Sequence, residues 1–173
     1  MIIVLLGYMG SGKSTLGKEL ASVLNYKFLD LDDFIAEKEN ATISNLFKTK
    51  GEIYFRKKET LYLKEIISQT DDIVLSLGGG TPCYSVNMDL INENSNVVSF
   101  YLKLSIPLLS KRLFAAKEQR PLISHINTEE GMLEFIGKHL FERSLYYSKA
   151  NHTINTDNKS LKEVLESILT HLI

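Results

Sequence analysis

The chain has 173 residues, of which 44% are hydrophobic and 24% are charged, a composition typical of a soluble globular protein. Its 20 Lys and Arg residues are balanced by 21 Asp and Glu residues, so there is no basic field to attract nucleic acid or an anionic membrane surface. No apolar run approaches the roughly 20 residues that cross a bilayer, and we therefore expect neither a nucleic-acid-binding nor a membrane protein.

Short β-rich runs alternate along the chain with segments of helical periodicity. Strands are predicted at residues 2–6, 27–30, 73–77, 97–102 and 152–155. The clearest helix is the last, where apolar residues recur every three or four positions from Leu161 to Leu172. This alternation predicts an α/β fold, with a mostly parallel sheet covered by helices on both faces. Ligands bind such sheets at the carboxyl ends of the strands, which makes residues 78–85 and 115–127 candidate site segments.

The first predicted strand leads into Gly7-Tyr8-Met9-Gly10-Ser11-Gly12-Lys13-Ser14, which matches GxxxxGK[ST] between a strand and a helix. The glycines of this P-loop allow its backbone N–H groups to approach phosphate oxygens at a helix N-terminus. Lys13 is expected to contact the β- and γ-phosphates, Ser14 to bind Mg²⁺ directly, and Thr15 to contact the α-phosphate. The motif predicts nucleotide binding, and the alternative is a glycine-rich structural turn.

Carboxylates follow the second predicted strand at Asp30, Asp32 and Asp33. Asp30 and Asp32 should project from the same face near the P-loop. We expect one of these two carboxylates to bind Mg²⁺ through a water molecule, and the other to accept a hydrogen bond and the proton from an attacking hydroxyl. An aspartate of ordinary pKa is a weak base, so orientation is expected to be its main contribution. The alternative for this cluster is helix N-capping, assigned to Asp33.

Three consecutive glycines, Gly78, Gly79 and Gly80, follow the third predicted strand. We call them the glycine wall, because a segment without side chains at the ligand edge of the sheet predicts close approach of backbone to a small substrate. A flexible turn is the alternative. A GTPase is disfavoured, since the nearest match to a guanine-reading NKxD segment is Asn158-Lys159-Ser160-Leu161, which lacks the aspartate.

These motifs are accompanied by Phe55-Arg56-Lys57-Lys58-Glu59, Arg120-Pro121-Leu122 and Glu142-Arg143-x-x-x-Tyr147. In this order they resemble the shikimate kinases over nearly the whole chain. The resemblance implies a three-layer P-loop kinase fold with a five-stranded parallel sheet in the order 2-3-1-4-5. It also implies transfer of the γ-phosphoryl group of ATP to the 3-hydroxyl of shikimate, with Mg²⁺ as the cofactor, in aromatic amino-acid and chorismate biosynthesis.

The resemblance further implies a role for each arginine of the substrate site. Arg56 and Arg143 would bind the shikimate carboxylate, for which the planar guanidinium is well suited. Asp32 would bind a hydroxyl of shikimate and accept its proton, which leaves Asp30 to bind Mg²⁺ through a water molecule. Gly79 of the glycine wall would contact shikimate through its backbone. The alternatives are that Arg56 merely pairs with Glu59 one helical turn on, and that Arg143 is a solvated helix residue.

For the nucleotide, the resemblance implies contacts from the P-loop and from three further basic residues. Arg120 would reach the transferred phosphate and act with Lys13 as an electrostatic catalyst. The alternative for Arg120 is a solvated charge on a loop. Arg112 and Lys159 would contact the adenine. The chain departs from the family near both: residues 113–119 lack the usual lid glycines and asparagine, and residues 157–161 lack an arginine-rich, proline-containing loop.

We expect residues 1–173 to form a single domain, because no repeat or linker interrupts them. By the family resemblance it contains a substrate-binding region at about 36–65 and a mobile lid at about 112–124. The lone cysteine, Cys83, has no disulfide partner, so a cytoplasmic location is expected. No interface stripe is evident in the sequence, which favours a monomer.

Two other functions remain open from the sequence. A gluconate-type or nucleoside-type kinase would share the P-loop and the lid, and gluconate is also a hydroxylated carboxylate. The combination of Asp-x-Asp, Phe-Arg and triple-glycine segments disfavours it. A nucleotide-binding module without turnover is the second alternative, and the presence of Lys13, Asp32 and Arg120 together argues against it.

Overall fold

Five parallel strands form the centre of the structure, a computed structural model that describes residues 1–172. The strands are β1 (Ile2–Leu6), β2 (Lys27–Asp30), β3 (Ile73–Ser76), β4 (Val97–Lys103) and β5 (His152–Asn155). They lie in the order β2-β3-β1-β4-β5, and every neighbouring pair is parallel. The predicted sheet and its 2-3-1-4-5 order are confirmed; the expected domain of residues 1–173 includes Ile173, which lies outside the described residues.

Seven α-helices accompany the strands within the described residues, six of them between strands and one after β5. They are α1 (Lys13–Leu24), α2 (Leu31–Glu39), α3 (Ile43–Ile67), α4 (Asn87–Glu93), α5 (Ile106–Ala115), α6 (Glu129–Tyr147) and α7 (Leu161–Thr170). The predicted C-terminal helix is confirmed as α7, which begins with a capping box between Ser160 and Glu163. Up to Leu172, none of the helices combines the length and the apolar character that a membrane span requires.

The sheet separates two hydrophobic cores, as the three-layer fold requires. In the central strand β1, Ile2, Val4 and Leu6 face one core, and Ile3 and Leu5 face the other. The first core includes residues of α2 to α6, whereas the second packs α1 and α7 against the sheet. All five residues of β1 are fully buried, which explains why this strand is a continuous apolar run.

The register of the strands brings the candidate motifs to one edge of the sheet. Ser76, near the end of β3, pairs with Leu5 of β1 on one side and with Asp30 of β2 on the other. The P-loop, the Asp30 to Asp33 carboxylates and the glycine wall therefore leave neighbouring strands at the same level. This arrangement creates a shared cavity at the carboxyl ends of the strands, as expected for an open α/β sheet.

The helices after β2 are linked by a half-buried carboxylate, Glu39. The hydroxyls of Tyr54 and Tyr62 donate to its two oxygens, each at 2.5 Å, and Lys58 pairs with it at 2.9 Å. The hydrogen bonds from the tyrosines, followed by the one from Lys58, lower the pKa of Glu39 to about 2. Glu39 thereby fixes the end of α2 against α3 beyond Gly51, a residue with φ 83° that separates α3 into two helical parts.

Candidate active site

The P-loop is wound around the side chain of Lys13. Nζ of Lys13 donates to the carbonyl oxygens of Gly7 at 2.9 Å and Tyr8 at 3.0 Å. Gly10 and Gly12 have φ values of 78° and 91°, which residues with a side chain rarely adopt. The glycines of the motif therefore allow the tight path of the loop that surrounds this buried ammonium group.

A cavity of about 410 Å³ opens where the three motifs meet, a size typical of small-molecule sites. It is lined by P-loop residues, by carboxylates after β2, by the end of β3 with the glycine wall, and by one arginine: Met9, Gly10, Gly12, Lys13, Ser14, Thr15, Asp30, Asp32, Ser76, Leu77, Gly78, Gly79 and Arg120. The structure thus brings together most of the predicted site residues, although they come from four separate segments of the chain.

The cations around the cavity favour the binding of an anion. Burial lowers the pKa of Lys13 to about 8, while Asp30 and Asp32 act to raise it, and the charges of Arg120 and Arg143 lower it again. Desolvation and the two arginines thus disfavour the protonated lysine. An anion bound between these cations would stabilise the ammonium form, which is the behaviour expected of a phosphate site.

Asp30, and not Asp33, is the N-cap of α2. Oδ1 of Asp30 accepts a hydrogen bond from the N–H of Asp32 at 3.0 Å, and Oδ2 accepts one from the Ser14 hydroxyl at 3.1 Å. The assignment of the cap to Asp33 was wrong, because Asp30 has extended geometry and the helix begins at the next residue. Asp33 is exposed in the first turn. Ser14 and Asp30 thus place oxygen atoms of two motifs side by side at the cavity.

Asp32 lies against the glycine wall. A Cβ atom on Gly78 would lie 3.1 and 3.3 Å from the two carboxylate oxygens of Asp32. Burial, followed by the charges of Asp30 and Glu59, raises the pKa of Asp32 to about 6, although two nearby cations oppose the rise. The expectation of an ordinary pKa was wrong, because the sequence spacing does not reveal that this side chain is desolvated among other carboxylates.

Arg56 pairs with Glu59, as the alternative interpretation predicted, and it also faces the glycine wall. Nη1 of Arg56 donates to the two Glu59 oxygens at 2.9 and 3.2 Å. Glu59 is only 1% exposed and also accepts the Thr81 hydroxyl at 2.7 Å. A Cβ atom on Gly80 would lie 2.9 Å from Nη2 of Arg56. The ion pair therefore holds the guanidinium at the wall and does not turn it towards solvent.

Arg143 reaches the same wall from α6. Its Nη1 lies 3.5 Å from the position of a Cβ atom on Gly79, and its guanidinium is 5.9 Å from the ring centre of Tyr8. The Tyr147 hydroxyl donates to the Gly79 carbonyl at 2.6 Å and so ties the wall to α6. Arg56 and Arg143 are absent from the lining of the 410 Å³ cavity; they flank its glycine wall.

The two residues expected at the adenine lie together beside the P-loop. Arg112 and Lys159 line a second cavity of about 240 Å³, with Ser11, Gly12 and Thr15 of the P-loop and its helix also in the lining. Nη1 of Arg112 donates to the Gly10 carbonyl at 3.3 Å. The chain departs from the family pattern near Arg112 and Lys159, but both residues still lie beside the P-loop.

The sequence did not predict Ser76 or the burial of Glu59, nor the contact made by Tyr84 within the candidate segment 78–85. Ser76 ends a buried strand, and its Oγ has no hydrogen-bond partner within residues 1–172; a polar residue at the end of an apolar run was the available signal. Glu59 was considered only as a partner of Arg56 one helical turn on, because sequence spacing does not report burial. Tyr84 stacks on Arg56, with its ring centre 3.8 Å from the guanidinium carbon, and no sequence pattern links residues this far apart.

Comparison with known proteins agrees with the motifs. A family model described as shikimate kinase matches residues 9–173. The chain is 46% identical over 167 residues to a shikimate kinase of Flavobacterium johnsoniae, covering 96% of each chain. The solved shikimate kinase from Bacteroides thetaiotaomicron has a TM-score of 0.89 at 34% identity, covering 99% of this chain and 98% of that one. A shikimate kinase from Acinetobacter baumannii in complex with shikimate has a TM-score of 0.82 at 33% identity, covering 99% and 92%. The chain belongs to the shikimate kinase family.

Proposed function

We propose that this chain transfers the γ-phosphoryl group of ATP to the 3-hydroxyl of shikimate, giving shikimate 3-phosphate and ADP in the pathway to chorismate and the aromatic amino acids. The observation that carries the proposal is the convergence of the P-loop, Asp32 and two arginines around one glycine wall. Shikimate presents a carboxylate and hydroxyls on a small ring. Arg56 and Arg143 supply donors for the carboxylate, and Asp32 supplies an acceptor for a hydroxyl.

The nucleotide occupies the P-loop side of the cavity in this proposal. N–H groups of Gly10, Ser11 and Gly12 and the N-terminus of α1 bind the phosphates, with Thr15 at the α-phosphate. The buried ammonium of Lys13 exchanges carbonyl partners for β- and γ-phosphate oxygens. Arg112 and Lys159 contact the adenine from the adjoining 240 Å³ cavity.

The oxygen atoms of Ser14 and Asp30 fit Mg²⁺. Mg²⁺ prefers oxygen ligands and is usually bound by one or two protein groups together with phosphates and water. The Ser14 hydroxyl, already hydrogen-bonded to Asp30 Oδ2, would bind the ion directly, and Asp30 would do so through water. Residues 1–172 contain no cluster of three His, Cys, Asp or Glu side chains that could hold a metal, so the phosphates would complete the site. When bound, Mg²⁺ neutralises charge on the phosphates.

The transfer itself depends on positioning and on charge stabilisation. Asp32 orients the 3-hydroxyl and accepts its proton as the oxygen attacks the γ-phosphorus. Lys13 and Arg120 stabilise the negative charge on the transferring group. Residues 112–124 form the lid, whose closure excludes water that would otherwise compete for the phosphoryl group. Residues 36–65 form the region that receives shikimate.

We also propose that the protein acts as a monomer in the cytoplasm, with shikimate and ATP as its partners. The free cysteine Cys83 suits a reducing compartment, and the balanced charge offers no basic field for nucleic acid.

ADP release should depend on shikimate when the purified protein is supplied with ATP and Mg²⁺. The comparison includes no acceptor, shikimate, gluconate and a set of nucleoside monophosphates. Release with shikimate alone supports the reaction and the acceptor together, because gluconate, which is also a hydroxylated carboxylate, is then rejected as the acceptor. Release with gluconate or a nucleotide would retain a kinase and reject the acceptor, whereas ATP binding without release would favour the non-catalytic module.

Gly80→Ala should weaken shikimate binding with little loss of stability. Gly80 has φ −89° and ψ −20°, which alanine adopts without strain, but the added methyl group would lie within 3.0 Å of both terminal nitrogens of Arg56. The guanidinium must move, so we expect KM for shikimate to rise about tenfold, the loss of one charged hydrogen bond. Gly137→Ala in α6 is the control, since its Cβ would meet no atom within 4 Å beyond its chain neighbours and the backbone of its own helix. An unchanged KM in Gly80→Ala would show that Arg56 does not need this space.

A further inference from the structure

The ring of Tyr84 covers one face of the Arg56 guanidinium. The guanidinium carbon lies 3.8 Å from the ring centre of Tyr84, compared with 5.2 Å for Phe55 and 6.0 Å for Phe47. A guanidinium plane against an aromatic face at this distance is a cation–π contact. Of these three rings, Tyr84 is the one close enough to determine the orientation of the guanidinium.

Tyr84 is itself held by Glu52. Its hydroxyl donates to Oε1 of Glu52 at 2.9 Å, and the same oxygen lies 3.6 Å from Nε of Arg56. Glu52 precedes Arg56 by one turn of α3. Tyr84 therefore bridges the segment after the glycine wall to the helix that carries Arg56, and its ring is attached at the hydroxyl end.

The hydrogen bonds of Arg56 leave the plane of its guanidinium underdetermined. Within residues 1–172, Nη1 bonds to Glu59, whereas Nε is buried without a hydrogen-bond partner. A group attached through one nitrogen can pivot about that contact, so the stacking ring is needed to set the plane. A cavity of about 530 Å³, lined by Glu52, Lys57 and Tyr84 as well as by Arg56, offers an alternative position if the ring is lost.

We propose that Tyr84 is a positioning residue, which orients the Arg56 guanidinium so that its free donors meet the carboxylate of the acceptor substrate. The inference rests on the proposed function, because it assigns Arg56 to the carboxylate of shikimate. Tyr84 makes no contact with the substrate in this proposal. Its effect is therefore transmitted entirely through Arg56, which makes it separable from a general effect on folding.

Tyr84→Leu should raise KM for shikimate about tenfold, the value of a partly desolvated cation–π contact. The values of kcat and of KM for ATP should stay within about twofold, since the P-loop and Asp32 are untouched. Tyr84→Phe keeps the ring and should stay close to the wild-type KM. Tyr146→Leu, which removes a surface tyrosine of α6, is the control. Thermal melting of each variant is measured, and Tyr84→Met replaces Tyr84→Leu should the latter not fold.

A double-mutant cycle with Arg56→Met separates positioning from any other role of Tyr84. Adding Tyr84→Leu to Arg56→Met should change KM for shikimate by less than about twofold, because the group it positions has gone. Equal effects of Tyr84→Leu in both backgrounds, or an unchanged KM in the single variant, would overturn the inference. A wild-type protein that does not phosphorylate shikimate would instead reject the proposed function, so the two failures are distinguishable.

Discussion

Replacing Arg120 by alanine should lower kcat for shikimate phosphorylation by about 10³, within the range found for arginines that contact a transferring phosphoryl group. Arg120 lines the same cavity as Lys13, and its charge contributes to the lowered pKa of Lys13. The two cations therefore lie at the same small cavity, in which the P-loop would place the γ-phosphate. Because the stabilised charge is greatest in the transition state, KM for ATP should change much less than kcat. Steady-state kinetics with both substrates varied measures the two effects.

Two further variants test whether the loss of kcat in Arg120→Ala is due to the guanidinium at this position. Arg120→Lys keeps the charge but loses the planar fork, so an intermediate loss of kcat is expected. Lys111→Ala removes an equal charge from the exposed surface of α5 and should leave kcat unchanged. If Arg120→Ala retained a kcat within tenfold of wild type, Arg120 would be a loop charge and Lys13 would remain as the electrostatic catalyst.

The fold could be predicted from the sequence because its signals are local. Strands β1, β3 and β4 are largely apolar runs, and the parallel arrangement follows from the helices between the strands. The P-loop motif located the end of β1 and the start of α1. The strand order came from the family resemblance, since alternation alone does not determine which strands are neighbours.

The exact geometry of the carboxylates after β2 could not be predicted. Helix boundaries are the least certain feature of a sequence-based prediction, and the cap was assigned to Asp33, three residues beyond the observed cap at Asp30. The raised pKa of Asp32 depends on burial and on Glu59, a residue that approaches only through the tertiary fold. The local sequence pattern therefore identified the carboxylates of the site but did not predict the raised pKa of Asp32.

Longer-range contacts left no trace in the sequence pattern. The stacking of Tyr84 on Arg56 joins segments on either side of β3. The sequence marked Arg56 by the family resemblance and residues 78–85 as a candidate site segment, but it gave no sign that the two are in contact. Two exposed apolar residues of α6 were also not identified from the sequence. Phe141 is 83% exposed and Leu145 is 73% exposed, one turn apart, although no interface stripe was evident in the sequence. Because α6 carries apolar residues on its buried face as well, the periodicity does not distinguish an exposed stripe from the core.

Asp32→Asn should lower kcat by about 10²–10⁴ while leaving ATP binding nearly intact, the range expected for loss of a positioned proton acceptor. The amide has the shape of the carboxylate, so packing against Gly78 is retained. It has neither the charge nor the basicity to accept the proton of the 3-hydroxyl. ATP affinity, measured by calorimetric titration, depends on the P-loop and should change little, which separates a loss of chemistry from a loss of structure.

Asp33→Asn is the matched control, because it makes the same change one residue away on an exposed side chain. It should retain wild-type kcat and wild-type ATP affinity. Asp32→Ala adds a second comparison: if Asp32 mainly orients the hydroxyl, asparagine should retain more activity than alanine, since its amide oxygen still accepts a hydrogen bond. If it mainly accepts the proton, the two variants should be equally impaired. Near-normal turnover in Asp32→Asn would remove Asp32 from the mechanism and leave positioning by the arginines and the P-loop to account for the reaction.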